Sequence, residues 1–284
     1  MDPLRIDAHA HGMHADRDAS GKLRPPVRPV WTGDAQAAVD YVQQSREKGI
    51  AQILVLDPPH VAFALREAFG DFILPAPQVD LDHVTPADID ALFARGACGI
   101  KFISPSRSYG DDAYLPIYAA VEANRGLAVF HTGYLGIGLF GPKALLPRDT
   151  LVDITHMCPA AVDRVARFFP ELNILMAHFG NPWWEECWKI MSSHPNVYAD
   201  FSGGTAYRRG LRMWLDIFKP DGKTDLKAVS KLCFATDATY FVPGIFSDIA
   251  RYTGFYDRLL DALEVSDELR EQVNCGNIRR LTEG

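Results

Sequence analysis

The chain has 284 residues, of which 48% are apolar and 23% charged, with a formal net charge of −7. No segment is biased enough to stay disordered, no apolar run approaches the roughly 20 residues of a membrane helix, and the acidic balance argues against nucleic acid or an anionic membrane as partner. The five cysteines are dispersed without a CxxC pair and read as reduced thiols, and the opening residues lack a signal-peptide pattern, so a cytoplasmic protein is expected.

Taken in chain order, short β-rich runs alternate with helical patterns. RIDAHAHG comes first, followed by the irregular stretch His14 to Trp31, whose Pro25, Pro26 and Pro29 suit either a lid or a plain connection. A helix over Asp34 to Lys48 stops at Gly49. The runs AQILVLDPP and FILPAPQVDL then precede a helix capped by Thr85 with Pro86 in its first position. ACGIKFIS leads to a helix from Asp112 to Arg125, ended by Gly126, and then to LAVFHTG. Further helices over Ala160 to Phe169, Pro182 to Ser192, Leu211 to Phe218 and Ser247 to Glu264 separate NILMAHFG, NVYADFSGG and KLCFATDATY. Several of the runs are continuously apolar, as strands covered on both faces are, so the pattern predicts an α/β fold of parallel strands. About eight strand and helix units predict one TIM-barrel domain over residues 1–284. The segment FSDIARYTGFYDRLLDALE could cover that barrel or join a second copy, and a homodimer is expected.

Polar residues concentrate where these runs end. His9 and His11 lie two apart in a strand and therefore share a face, with Cα atoms roughly 6.5 to 7 Å apart. His131, His178, Asp237 and Lys101 close later runs, at the strand ends where a barrel builds its active site. Imidazole and carboxylate are ordinary ligands of zinc and its first-row neighbours, so the set implies a divalent metal site and metal-assisted chemistry on a small molecule. A lone histidine at a strand end is more often structural; here the coincidence of several strand ends outweighs that reading. His194 precedes its strand and belongs on the opposite rim, while His14, His60, His83 and His156 are expected to be structural or exposed. Arg107, Tyr109, Tyr134 and Tyr240 follow strands and are candidate substrate contacts, and one of Trp183 and Trp184 could wall the pocket. Gly136, Gly138 and Gly141 spell GxGxxG, but Pro142 follows where a dinucleotide fold needs a helix, so the segment reads as a loop.

The segments DAHAHG, GIKF, YLPIYAAVEANRGLAVFHTG, FPELNILMAHFGNPWWEE, HPNVYADFSG, TDATYF and GNIRRL together span nearly the whole chain. In these the chain resembles the amidohydrolase superfamily, in the branch that includes aminocarboxymuconate-semialdehyde decarboxylase and the resorcylate decarboxylases. The resemblance implies a distorted TIM barrel with His9, His11, His131 and Asp237 as metal ligands. His178 stands beside them as acid or base, or as a further ligand in two-metal members. Lys101 matches the strand-four lysine that is carboxylated when two ions are bound; unmodified, it could pair with a substrate carboxylate. One ion is expected, most readily zinc, with manganese or iron accepted by the same donors.

Hydrolysis of an amide, ester or lactone is the leading expectation. Asp237 would take a proton from the attacking water and pass it to the leaving group. Non-oxidative decarboxylation of a small aromatic or unsaturated acid uses the same residues and is the alternative, with a barrel that binds metal without turnover as the third.

Overall fold

The computed structural model of the chain describes residues 4–12, 35–135, 153–203, 206–241 and 244–283. The stretch His14 to Trp31, read as either a lid or a plain connection, and the GxGxxG segment lie outside these residues. The parallel strands are β1 (Arg5–His11), β2 (Ile50–Val55), β3 (Ile73–Pro75), β4 (Gln78–Val79), β5 (Gly99–Phe102), β6 (Leu127–His131), β7 (Asn173–Ala177), β8 (Val197–Asp200), β9 (Leu232–Cys233) and β10 (Ala238–Thr239). They form two runs, β10-β1-β2-β3 and β4-β5-β6-β7-β8-β9.

Ten segments arise from eight expected strands because two of the strands are broken. The third is split by Pro77, which has no N–H for the ladder, and the eighth bends before Asp237. The breaks are bridged by main-chain hydrogen bonds. Ala76 N donates to Val55 O at 3.0 Å and Lys101 N to Pro77 O at 2.9 Å, while Ala8 N donates to Phe234 O at 2.9 Å and Asp237 N to His9 O at 2.8 Å. The strands thus join into a ring, the TIM barrel that the alternating pattern predicts.

Helices follow the strands as expected. Among them are α1 (Ala35–Glu47), α2 (Pro59–Phe69), α3 (Pro86–Ala94), α4 (Leu115–Ala123), α5 (Pro159–Phe168), α6 (Trp184–Ser193), α7 (Leu211–Phe218), α8 (Leu226–Val229), α9 (Ile245–Ala262), α10 (Asp267–Glu271) and α11 (Asn277–Thr282). Thr85 caps α3 through a reciprocal bond with Asp88. The apolar face of α9, including Ile249, Tyr252, Phe255, Tyr256 and Leu259, is buried against the barrel. None of the described helices is long and apolar enough to cross a membrane.

Strand alternation divides the core in two. Ile53, Ile100, Phe102, Phe130, Ile174 and Met176 point outward beneath the helices. Ile6, Ala8, Leu54, Leu127, Val129, Leu175, Tyr198, Cys233 and Ala235 fill the barrel, whose base is closed by Ile278 and Leu281 of α11. The inward rows of β5, β6, β8 and β9 run on to Lys101, His131, Asp200 and Asp237.

Candidate metal centre

The first strand changes face just before the site. Ile6 and Ala8 pack inside the barrel, yet Ala10 packs in the outer layer, and the register against β2 shifts between Asp7 and Ala10. That irregularity turns His9 and His11 into the mouth, where an unbroken alternation would have aimed them at the helices. His178 and Asp237 reach the same point through left-handed backbone, with φ of 63° and 61°. Such conformations cost a non-glycine residue about 1–3 kcal/mol and collect at functional sites. Here the main-chain N–H of His178 donates to Asp200 Oδ1 at 3.1 Å, and that of Asp237 to the carbonyl of His9 at 2.8 Å.

Two imidazoles converge on one oxygen of Asp237. His9 Nε2 is 3.3 Å and His11 Nε2 3.2 Å from Asp237 Oδ1. Candidate ligand atoms of His9, His178 and Asp237 all lie within 4.8 Å of one another. Two ligands held ~2.0–2.1 Å from one tetrahedral ion stand about 3.4 Å apart, so the donors fit a divalent cation in spacing and in chemistry. Each imidazole is oriented from behind. His11 Nδ1 donates to Asp57 Oδ1 at 3.1 Å, and His9 Nδ1 lies 3.1 Å from Ser202 Oγ and 3.6 Å from Asp200 Oδ2. Carboxylate partners of this kind fix the tautomer of a ligating histidine.

His178 and His131 form a second layer of contact. His178 Nδ1 is 3.1 Å from the carbonyl of Ser202, which can only accept, so Nδ1 carries hydrogen. Nε2 then accepts from His131 Nδ1 at 3.1 Å. The remaining lone pair of His131, on Nε2, is buried without a hydrogen-bond partner among the described residues, as is the ammonium of Lys101. Unmatched polar atoms of this sort mark a place built for something else to bind.

Burial, with the neighbouring Lys101 charge adding to it, holds His9 and His131 well below the usual imidazole range, and burial lowers His178 also. These three are therefore neutral, as ligands and bases must be. Burial would depress His11 as well, but its bonds to Asp237 and Asp57 overcome that and raise it to about 9. A proton on His11 Nε2 faces Asp237 where a cation would otherwise stand. Asp237 is held below the ordinary carboxylate range: burial would raise it, and the His11 bond with the His11 and Lys101 charges outweighs that. Burial lowers Lys101 to about 8 against the pull of Asp200 and Asp237.

The structure corrects two candidate substrate contacts. Tyr109 is wholly buried, its hydroxyl directed at the carbonyls of Phe102 and His131 at 3.1 and 3.0 Å. Tyr240 is equally buried and donates to Asp7 Oδ2 at 2.9 Å. Both tie strands together behind the site. Tyr134 is half exposed, while Arg107 is exposed and lies 3.8 Å from Asp111. Trp184 packs in the outer layer against Trp214, and Trp183 is half-buried. His194 pairs with Asp163 at 2.7 Å, His83 with Asp80 at 3.0 Å, and His156 Nδ1 lies 3.3 Å from the Pro105 carbonyl; His60 is exposed.

The sequence reading missed Asp57, Asp200 and Ser202. Asp200 had a signal, since it ends the inward row Tyr198, Asp200 of its strand. Asp57 and Ser202 follow strands as ordinary loop residues do.

Similarity in fold extends over the whole barrel. The chain superposes with a TM-score of 0.64 on an amidohydrolase from Burkholderia multivorans solved with bound zinc, at 14% identity and 99% of each chain. A probable 2-pyrone-4,6-dicarboxylic acid hydrolase from Acinetobacter baumannii with citric acid bound gives 0.59, at 11% identity and 99% of each chain. A dihydroxybenzoic acid decarboxylase from Polaromonas, with manganese and 2-nitroresorcinol, gives 0.58 at 13% identity, covering 99% of this chain and 97% of that one. No curated protein matches the chain. The amidohydrolase family model matches residues 6–281, from the first strand through the helix that closes the base. With that match, and with the strand-end residues its motifs had pointed to gathered at one mouth, the chain belongs to the amidohydrolase family.

Proposed function

We propose that this enzyme is a metal-dependent hydrolase adding water to the carbonyl carbon of a small amide, ester or lactone. The observation that carries this reading is the meeting of His9 Nε2 and His11 Nε2 at Asp237 Oδ1, beside a neutral His178. His9, His11, Asp237 and either His178 or His131 would hold the ion, most readily zinc, with manganese or iron as alternatives on the same donors. When bound, such an ion acidifies water and polarises a carbonyl oxygen. Asp237 accepts the proton of the attacking water and returns it to the leaving group, a role suited to a carboxylate kept ionised by its neighbours. His178, fixed through Nδ1 by Ser202, keeps its lone pair on Nε2, which lies 3.1 Å from His131 Nδ1 and is the atom at which it can take up a proton. Lys101, buried and without a hydrogen-bond partner among the described residues, favours a substrate that carries a negative charge.

The same ammonium, without a hydrogen-bond partner among the described residues, supports a second reading, decarboxylation, in which Lys101 holds the departing carboxylate and His178, having first taken up a solvent proton at Nε2, passes it to the ring carbon. The likeness in fold to the Polaromonas decarboxylase agrees with it. The two part over water. Zinc-loaded protein offered aromatic lactones, anilides and hydroxybenzoic acids in H₂¹⁸O is expected to place one ¹⁸O in the acid product without releasing carbon dioxide. Carbon dioxide release with a solvent proton in the ring, and no ¹⁸O uptake, would replace hydrolysis by decarboxylation.

A further inference from the structure

The end of the barrel opposite the histidines, where the strands begin, carries a group of cations that no carboxylate answers. Tyr198 of β8 and Lys231, the residue before β9, stand next to each other in the lowest inward row, since Ala199 pairs with Leu232 and Asp200 with Cys233. Arg280 joins them from α11, the helix that closes this end. Asn277, wholly buried, locks the pieces together. Its Nδ2 donates to the carbonyls of Ser230 and Leu232, each at 2.8 Å, and its Oδ1 accepts from Arg280 Nη2 at 3.1 Å.

Lys231 is 8% exposed, and its ammonium donates to the carbonyl of His194 and, at 3.4 Å, to that of Val197. Lys231 Nζ and the Arg280 guanidinium carbon lie 5.5 and 5.3 Å from the centre of the Tyr198 ring. Among the described residues neither cation forms an ion pair. Burial, then the charges of Lys227 and Arg280, push Lys231 down to about 8, so the charged groups acting on it are themselves positive. The Tyr198 oxygen accepts from Arg280 Nη2, and its own O–H has no acceptor among the described residues. A lysine this deeply buried is ordinarily paired, and backbone carbonyls and a ring face supply only partial charge. In a chain of net charge −7, a rigid cluster made only of cations and unspent donors is an anion site in composition and in placement.

We propose that the base of the barrel binds a phosphate-type oxyanion, as free phosphate or as the phosphoryl group of a small molecule, between Lys231, Arg280 and the Tyr198 hydroxyl, with Lys227 at the rim. The ammonium spends its third N–H on one oxygen, the hydroxyl its proton on another, and the guanidinium fork its free N–H groups on the rest; a carboxylate has too few oxygens to use them all. The bound anion ties β8 and β9 to α11, at the far end of the strands from the metal centre.

Calorimetric titration of the full chain with inorganic phosphate, near pH 7 and at constant ionic strength, tests this. The His9→Ala, His11→Ala double variant is run alongside to distinguish the base from the mouth. Both proteins are expected to take up one phosphate per chain, saturating below about 10 mM, and to melt at a higher temperature when it is bound. Arg280→Gln, at an exposed position, should weaken binding ~10- to 100-fold, and Tyr198→Phe ~3- to 10-fold. Lys231→Met should abolish it; if that variant does not fold, the other two decide. Glycerol phosphate separates the sources: tighter binding than inorganic phosphate assigns the site to a phosphorylated small molecule, weaker binding to the free anion. No saturation by about 10 mM phosphate, loss of binding in the double variant, or unchanged affinity in Arg280→Gln and Tyr198→Phe would overturn the proposal.

Discussion

Asp57 touches the site through His11, and its carboxylate also accepts the main-chain N–H of Gly12 at 2.5 Å, so it sets both the ring and the turn that follows. Partners of this kind are worth ~10- to 100-fold in metal affinity. Asp57→Ala is therefore expected to weaken zinc binding by that factor, as read by competition with a chromophoric chelator, with the fold kept; an unchanged affinity would remove Asp57 from the centre. Asp7 presents a different case. It lies fully buried and accepts from Thr236 N and His9 N on one oxygen and from Thr236 Oγ1 and Tyr240 on the other, but burial outweighs these bonds and pushes it up to about 7. Folded, it keeps its proton to near pH 7, whereas the unfolded chain loses it near 4. Unfolding thus releases a proton between those values, and this group's contribution makes stability fall as pH rises from about 4 to about 7. Asp7→Asn, which cannot ionise, should flatten the difference in urea midpoint between pH 5 and pH 8 relative to wild type. An identical slope in the two proteins would show that Asp7 is ionised in the fold.

Elements aim the site by departing from regularity. The register shift in β1 and the left-handed turns at His178 and Asp237 each bring inward a side chain, or the chain following it, that an ideal strand would place elsewhere. A similar constraint holds the loop after β6. Gly133 has φ of +104°, and a Cβ there would stand 2.2 Å from the carbonyl of Asn181, in the loop that follows His178. Gly133→Ala is expected to cost well over 1 kcal/mol in urea unfolding and to lower zinc affinity, since both neighbouring loops must move. Gly70→Ala, at φ of +56° with nothing within 4 Å among the described residues, is the control that carries backbone strain alone. Sequence periodicity reported the strands and helices because burial on one face repeats in the residue pattern. It could not report the face change in β1, which is a matter of register. Nor could it tell a tyrosine that opens into the mouth from one whose hydroxyl is tied to backbone, as at Tyr109, or to a buried carboxylate, as at Tyr240.

For the whole molecule, the ring of strands matters because the histidines and Asp237 are drawn from both ends of the sequence. His9 and His11 open the chain, His131 and His178 lie near its middle, and Asp237 follows the last long apolar run; only closure through Ala8 to Phe234 and Asp237 to His9 brings them together. Order and strand-end position were legible because a barrel places its site at the ends of its strands. Asp57, Asp200 and Ser202 were harder to read, since acidic and hydroxyl residues after a strand are common and only their distances to the imidazoles distinguish them. The central claim is that this mouth holds a metal ion, and it is tested most directly by metal content per chain, measured by plasma mass spectrometry on wild type and the His9→Ala, His11→Ala double variant after reconstitution with zinc. About one ion per wild-type chain and almost none in the variant is the predicted result, with about two indicating that Lys101 is carboxylated. A wild-type protein that retains no zinc, manganese or iron would contradict the account.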